Sequence, residues 1–236
     1  MYKFVLPFLL ASFLCVYVSN VAALEKVPLD EVQLNKFIED TQRQMPATGQ
    51  NHVALVWWVP LEYWISVVER DLDISDAQRE TIFLSLKNIS LLAAVQADLS
   101  ESGELEFYSK ETIQEDLVVK FRDSVADNKV ITPIKNLDPN LSSLLNQIAP
   151  LLGAAMGNLG NNFHFFVFDD FEDGNRIMDP YEEGVLSIDL KSNTDFEMNT
   201  EIEMPLNSLY FPRMCPNGKE AHVSWKYCPW SGKEPK

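Results

Sequence analysis

The sequence predicts an α+β fold, an antiparallel sheet of hairpins packed with several helices. Strand-like runs occur in neighbouring pairs joined by short polar turns, the pattern of hairpins rather than of crossover units. Stretches with helical spacing or helix-starting residues lie between those pairs. Apolar residues make up 46% of the chain, enough for a full core.

Taken in order, residues 29–44 carry apolar side chains at Leu29, Val32, Leu34, Phe37 and Ile38, which predicts an amphipathic helix. Pro46 and Gly49 mark a loop. His52 to Val59 reads HVALVWWV, continuously apolar and rich in β-formers, and predicts a buried strand. Pro60 suits the first turn of a helix reaching about Arg70. Ser75 with Gln78 is a capping box for a helix ending near Lys87. Residues 91–99 and 104–108 form a predicted hairpin around Ser100 to Gly103. A second pair, 117–122 and 129–133, turns at Ala126, Asp127 and Asn128. Asp138-Pro139 opens a helix over 140–157, which Pro150 should kink or split. Residues 163–168, FHFFVF, are apolar on both faces and predict a central strand. An acidic loop follows over 169–181. The clearest hairpin pairs 184–191 with 195–204. There Phe196, Met198, Ile202 and Met204 alternate with Asp195, Glu197, Glu201 and Glu203.

The N-terminus predicts export. One lysine precedes an apolar run from Phe4 to Val18, and Val21-Ala22-Ala23 supplies small residues for cleavage after Ala23. Residues 1–23 are therefore read as a signal peptide, and the product as periplasmic or secreted. The alternative is an uncleaved anchor, and membrane contact is expected only in that case. Cys15 lies within the signal and is lost on cleavage. Residues 24–204 form the α+β domain, and 205–236 a linker and tail.

Acidic residues outnumber Lys and Arg by 35 to 19, for a net charge of −16. That argues against nucleic-acid binding, which requires a basic face. It also disfavours anionic membrane surfaces, and suits solubility in an exported protein.

Two acidic groups invite a cation. Asp169 and Asp173 belong to an acid-rich stretch ending in Gly174-Asn175. A calcium loop, however, places oxygen ligands at alternate positions and closes with a bidentate Glu. Here Phe171 takes one alternate position and Pro180 stands where that Glu belongs, so a solvated turn is the favoured reading. The acidic face of 195–203 with Asp189 is likewise read as a wet strand face. His52, His164 and His222 form no H-E-x-x-H motif. His164, among phenylalanines, is expected to be a hydrogen-bonded core imidazole, and His222 a surface residue. Trp57, Trp58, Tyr63 and Trp64 are read as core packing in preference to an aromatic groove. No G-x-S-x-G, Walker A or dinucleotide fingerprint occurs, and no cofactor is expected. Asn88-Ile89-Ser90 and Asn140-Leu141-Ser142 are glycosylation sequons.

The tail from Arg213 to Lys236 carries the most specific spacing. Cys215-Pro-Asn-Gly-Lys and Cys228-Pro-Trp-Ser-Gly-Lys each open on Cys-Pro and soon reach a glycine. Over residues 213–236 the chain resembles a zinc ribbon, whose two Cys-Pro-x-Cys-Gly knuckles surround one metal with four thiolates. Half of those ligands are missing here: the first knuckle lacks its second Cys, and Ser231 replaces that of the other. The resemblance implies that Cys215 and Cys228 sit where opposing knuckles face each other. Once the signal is removed they are also the remaining cysteines, an even count in an exported chain. The favoured reading is a disulfide that has taken over the metal's fastening role. The alternatives are a metal held by Cys215, His222 and Cys228 with Glu220 as a fourth ligand, and free thiols. The chain is accordingly read as a non-enzymatic exported module that serves structure or contact with a protein partner. A metal-binding (zinc or calcium) module and a hydrolase using unrecognised carboxylates are the rival classes.

Overall fold

The computed structural model describes residues 24–45, 51–71, 73–123, 128–155, 157–192 and 197–236. The predicted signal with its cleavage at Ala23, the loop at 46–50, the turn residues 126–127, and Asp195 with Phe196 lie outside the described residues.

The chain enters through a short helix, α1 (Leu34–Thr41), which passes directly into β1 (Gln42–Met45). The single helix expected over 29–44 is thus corrected. Residues 42–45 adopt extended backbone because they complete the ladder along β2 (His52–Val59), with Gln42 opposite Trp57 and Met45 opposite Ala54. Pairing with a strand outweighs helical periodicity at that end. β2 then pairs with β3 (Ile89–Leu99) through two helices, α2 (Leu61–Val68) and α3 (Asp76–Leu86). Pro60 is the residue immediately before α2. The capping box of α3 forms as expected, with Ser75 and Gln78 exchanging side-chain and backbone hydrogen bonds.

The β2–β3 register sets large residues against small ones. Trp57 lies opposite Ala93, and Val56 opposite Ala94. Both indoles of β2 find acceptors: Trp57 Nε1 donates to Thr41 Oγ1 at 3.2 Å and Trp58 Nε1 to Ser90 Oγ at 2.6 Å. Tyr63 meets Phe37 and Trp57 edge-on, with ring centroids 5.7 and 5.1 Å apart. The aromatic cluster is core, not groove.

β3 continues into β4 (Leu105–Phe107). The next element, α4 (Lys110–Asp116), has no counterpart among the sequence expectations. It buries only Ile113, so it carries no apolar period, but Ser109 caps it by accepting from Thr112 N–H. The pair β5 (Val118–Asp123) and β6 (Lys129–Ile131) follows as expected. α5 (Pro139–Ala155) runs past Pro150 as one helix rather than splitting there, and a 3₁₀ turn over Gly157–Asn162 leads to β7 (His164–Asp169).

β7 is not the central strand its composition suggests. Among the described residues it pairs with β3 alone, Ala94 opposite His164 through Ile89 opposite Asp169, and its other edge accepts a bond from Ile134 N–H at Val167 C=O, 2.7 Å. The central strand is β3, with β2 along one edge and both β7 and β4 sharing the other. The acidic stretch holds a two-residue ribbon, β8 (Phe171–Glu172) against β9 (Asn175–Arg176), turned by Asp173-Gly174. β10 (Gly184–Lys191) and β11 (Glu197–Met204) form the expected hairpin and extend the second sheet in the order β11-β10-β5-β6. Met198, Ile202 and Met204 are buried, while Glu197, Glu201 and Glu203 are exposed. The two sheets contribute to one continuous core, and Gln96 Nε2 on β3 ties them by donating to Lys191 C=O at 2.5 Å. A 3₁₀ turn at Asn207–Leu209 leads to the tail, where β12 (Arg213–Met214) pairs with β13 (Glu220–Ala221). The molecule is α+β. Among the described residues no helix is long and apolar enough to cross a membrane.

Candidate functional site

The tail folds as two turns built on one plan. Cys215 N–H donates to Lys219 C=O, and Cys228 N–H donates to Lys233 C=O, each at 2.8 Å. Inside each loop a glycine closes back on the cysteine carbonyl: Gly218 N–H at 2.9 Å and Gly232 N–H at 2.8 Å. Both glycines have positive φ, 79° and 63°, where a side chain would be strained. A disulfide joins Cys215 to Cys228, with Cα atoms 5.8 Å apart. The sulfurs are buried with Ala221 against Trp225, in a cluster separate from the main core.

Further bonds set the cap. Arg213 Nη2 donates to the carbonyls of Val223 and Trp225 at 2.8 Å. Lys236 and Met214 exchange backbone bonds, which returns the last residue to β12. The cap is fixed to the domain by Val223, which reaches the main core and donates its N–H to Asn207 Oδ1 at 2.7 Å. Lys36 and Glu220 form an ion pair across the seam at 3.0 Å. Exposed as it is, that pair contributes at most about 1 kcal/mol.

What the cap presents is aromatic and cationic. Trp230 is 50% exposed and Tyr227 52%. Trp225 meets Trp230 edge-on, and Lys219 Nζ lies 4.8 Å from the Trp230 ring centroid. Lys226 stands similarly over Tyr227. Residues 213–236 hold five cations, Arg213, Lys219, Lys226, Lys233 and Lys236, against Glu220 and Glu234, in a chain of net charge −16.

His222 is less exposed than the surface residue expected. It is half-buried at the seam, where burial holds its pKa below the ordinary value and Glu203 and Asp40 pull it back upward. Its Nδ1 pairs with Ser224 Oγ at 2.7 Å. Facing it, Asp40 is raised by burial although it accepts Ser208 N–H at 2.7 Å.

The candidate metal ligands are not gathered. Cys215 and Cys228 are bonded to each other, so neither offers a thiolate, and His222 turns to Ser224 and the domain. Asp169 ends β7 and Asp173 occupies the exposed ribbon turn. Among the described residues no three His, Cys, Asp or Glu side chains come together to hold an ion. On the acidic strand face, Asp189 receives Lys120 at 2.8 Å and also Asn199.

Two polar clusters escaped sequence reasoning. Arg176 bridges Glu62, through Nη1 at 2.5 Å and Nη2 at 3.0 Å, and Asp170, through Nε at 2.9 Å. Asp170 is 1% exposed and also accepts Met178 N–H at 2.7 Å; burial raises its pKa while Arg176 opposes the rise. Nearby, burial and the Glu62 charge push Tyr181 up to about 12. The acidic stretch is therefore partly a buried ion cluster, not a solvated loop throughout. No local signal could have found it, because Glu62 and Arg176 are 114 residues apart. The second cluster centres on His52, whose Nδ1 contacts Asp98 Oδ1 at 2.6 Å and whose Nε2 contacts Gln96 Nε2 at 3.1 Å. The amide must donate, so Nε2 accepts and Nδ1 carries the proton given to Asp98. With both nitrogens engaged, His52 has no site left for a nucleophile's proton. His164 is hydrogen-bonded as expected, donating from Nε2 to Tyr108 C=O at 3.2 Å, but it is half-buried at a cavity wall and not in the core.

The fold and this site define a class: an α+β chain carrying a disulfide-closed cap. Compared with protein-family models, curated proteins and solved structures, the chain shows no match.

Proposed function

We propose that the chain is an exported, non-enzymatic binding module, periplasmic or secreted, whose cap contacts an acidic protein partner. In this reading the cap derives from a zinc ribbon whose metal has been replaced by the Cys215–Cys228 bond. One observation carries the proposal. Trp230 and Tyr227 stand out of a covalently fastened turn, each beside a lysine, on an otherwise acidic molecule. Aromatic side chains on a rigid support are the usual anchors of protein interfaces. The charge contrast favours a partner whose own surface is acidic and selects against a basic one. A zinc-holding tail fits less well, because bonded sulfurs are not thiolate ligands.

The test is site-specific photo-crosslinking in the cell that exports the protein. A crosslinker at Tyr227 should give a discrete adduct, weakened by high salt and by K219E/K226E. One at Val130, exposed on the second sheet, should give none. Equal adducts at both positions, or none at Tyr227, would reject the cap as the contact surface.

A further inference from the structure

A cavity of about 320 Å³ lies between α5, the start of β7 and the segment entering α4. It shares no residue with the cap, and a ligand bound there would be independent of the function proposed for the cap. Its walls are apolar, from Leu137 and Leu145 on one side and Phe163 and Phe165 on the other. Its polar groups are few. Lys110, His164, Ser142 and Asn146 line it, a cation, an imidazole, a hydroxyl and an amide, and no carboxylate is among the described lining residues.

Lys110 is available. Among the described residues no ion pair engages its ammonium, which stands 5.7 Å from the Phe166 ring centroid. Its neighbour Glu111 is hydrogen-bonded at the start of its own helix, where its own backbone N–H and Ser109, and to a smaller extent the His164 and Lys110 charges, hold its pKa below the usual carboxylate range; it forms no ion pair with Lys110 among the described residues and is not a lining residue of the cavity. His164 is fixed by its bond to the Tyr108 carbonyl, which keeps the imidazole at the cavity wall. In a chain with 35 acidic residues, a partly buried pocket lined by a lysine and by no carboxylate among its described residues differs from the general surface.

Pockets of this size, apolar with a few convergent polar groups, suit small ligands. The charge decides the class. We infer that the cavity binds a small amphiphilic monocarboxylate, its apolar body among Leu145, Phe163 and Phe165 and its carboxylate at Lys110, within reach of the Ser142 hydroxyl and the Asn146 amide that line the same cavity. An ammonium is the better partner for an anion where water is partly excluded. A cationic ligand would meet Lys110 with like charge, and a neutral one would leave the ammonium desolvated without a partner.

The probe is octanoate, titrated into the full purified chain below its micelle concentration and followed by amide chemical shifts. Saturable shifts are expected at Lys110, Leu145, His164 and Phe165. Octanamide, of nearly the same shape without the charge, should bind about tenfold or more weakly, as should octanoate to K110M. L145W, which fills the cavity, should remove binding while the shifts of β10 and β11 stay in place. Shifts confined to other residues, equal binding of octanoate and octanamide by the wild-type chain, or unchanged affinity in K110M would each overturn the inference. The comparison of the two ligands uses only the wild-type protein, so it stands even where a variant fails to fold. Failure of the cap crosslinks leaves all of these readouts in place, so the two proposals fail separately.

Discussion

Replacing both cysteines in C215S/C228S should loosen the cap and leave the domain intact. The bond spans a sequence separation of 13, and chain-entropy bookkeeping for such a loop gives about 3 kcal/mol at 25 °C. The substitution acts locally because the sulfurs belong to a small cluster with Ala221 and Trp225, apart from the core that the two sheets share. Without the bond, little apolar burial remains to hold residues 225–236, whereas Val223 stays anchored in the main core. Three kcal/mol corresponds to roughly two orders of magnitude in an opening equilibrium. Amide exchange at Cys228, Gly232 and Lys236 should therefore speed up by about that factor. Exchange in β3 should not change. Unchanged exchange in the cap would show that its hydrogen bonds hold it without the disulfide. Parallel acceleration in β3 would show that the cap is part of the domain's cooperative unit, and the separation of the two clusters would have no energetic meaning.

Removing Arg176 should be severe. R176M leaves Glu62 and Asp170 buried without their cation, and a loss of about 3–5 kcal/mol in denaturant unfolding is expected; a loss under about 1 kcal/mol would show that water reaches the cluster. The seam should respond to pH through His222. Its folded pKa is depressed, so the unfolded chain binds the proton more readily, and stability declines as pH falls through about 6.5 toward the lower folded value. Melting of wild type and H222N between pH 7 and pH 5 checks this: the variant should lose less over that interval, and identical slopes would contradict it. At Gly184, the first residue of β10, an added Cβ would sit 2.6 Å from Phe121 Cζ. G184A should lower stability by about 1–3 kcal/mol as that buried ring is displaced, measured by chemical denaturation. A neutral effect would mean that the ring moves freely.

How much of the fold could be read from the sequence depends on how local each signal is. β10 and β11 were legible because alternation along residues 184–204 reflects one wet and one dry face. β2 was legible from its unbroken β-formers, and α3 from its capping box. β1 was not, because its four residues are strand only by virtue of an open edge on β2. α4 was missed because a seven-residue helix with one buried side chain has no period to detect. FHFFVF shows two-sided burial, which the sequence equates with two-sided pairing; in the fold, β7 has one partner strand. Of the candidate site, the two turns and the bonded cysteines were visible as spacing. The position of His222 against Asp40 and Glu203 was not, nor was Arg176 between Glu62 and Asp170, because such contacts depend on how distant segments dock.

The divided edge of β3 has a consequence for the newly made chain. β2 and β3 can zip together as soon as both exist, and β4 follows at once. The stretch Ile89–Ala94 must wait for partners that begin at His164, some 70 residues further along. Throughout that interval an apolar row of backbone donors and acceptors stands open to any other extended chain nearby. Chaperone protection during synthesis is therefore most needed before β7 arrives, and a truncation ending short of it should aggregate where the full chain of 236 residues does not.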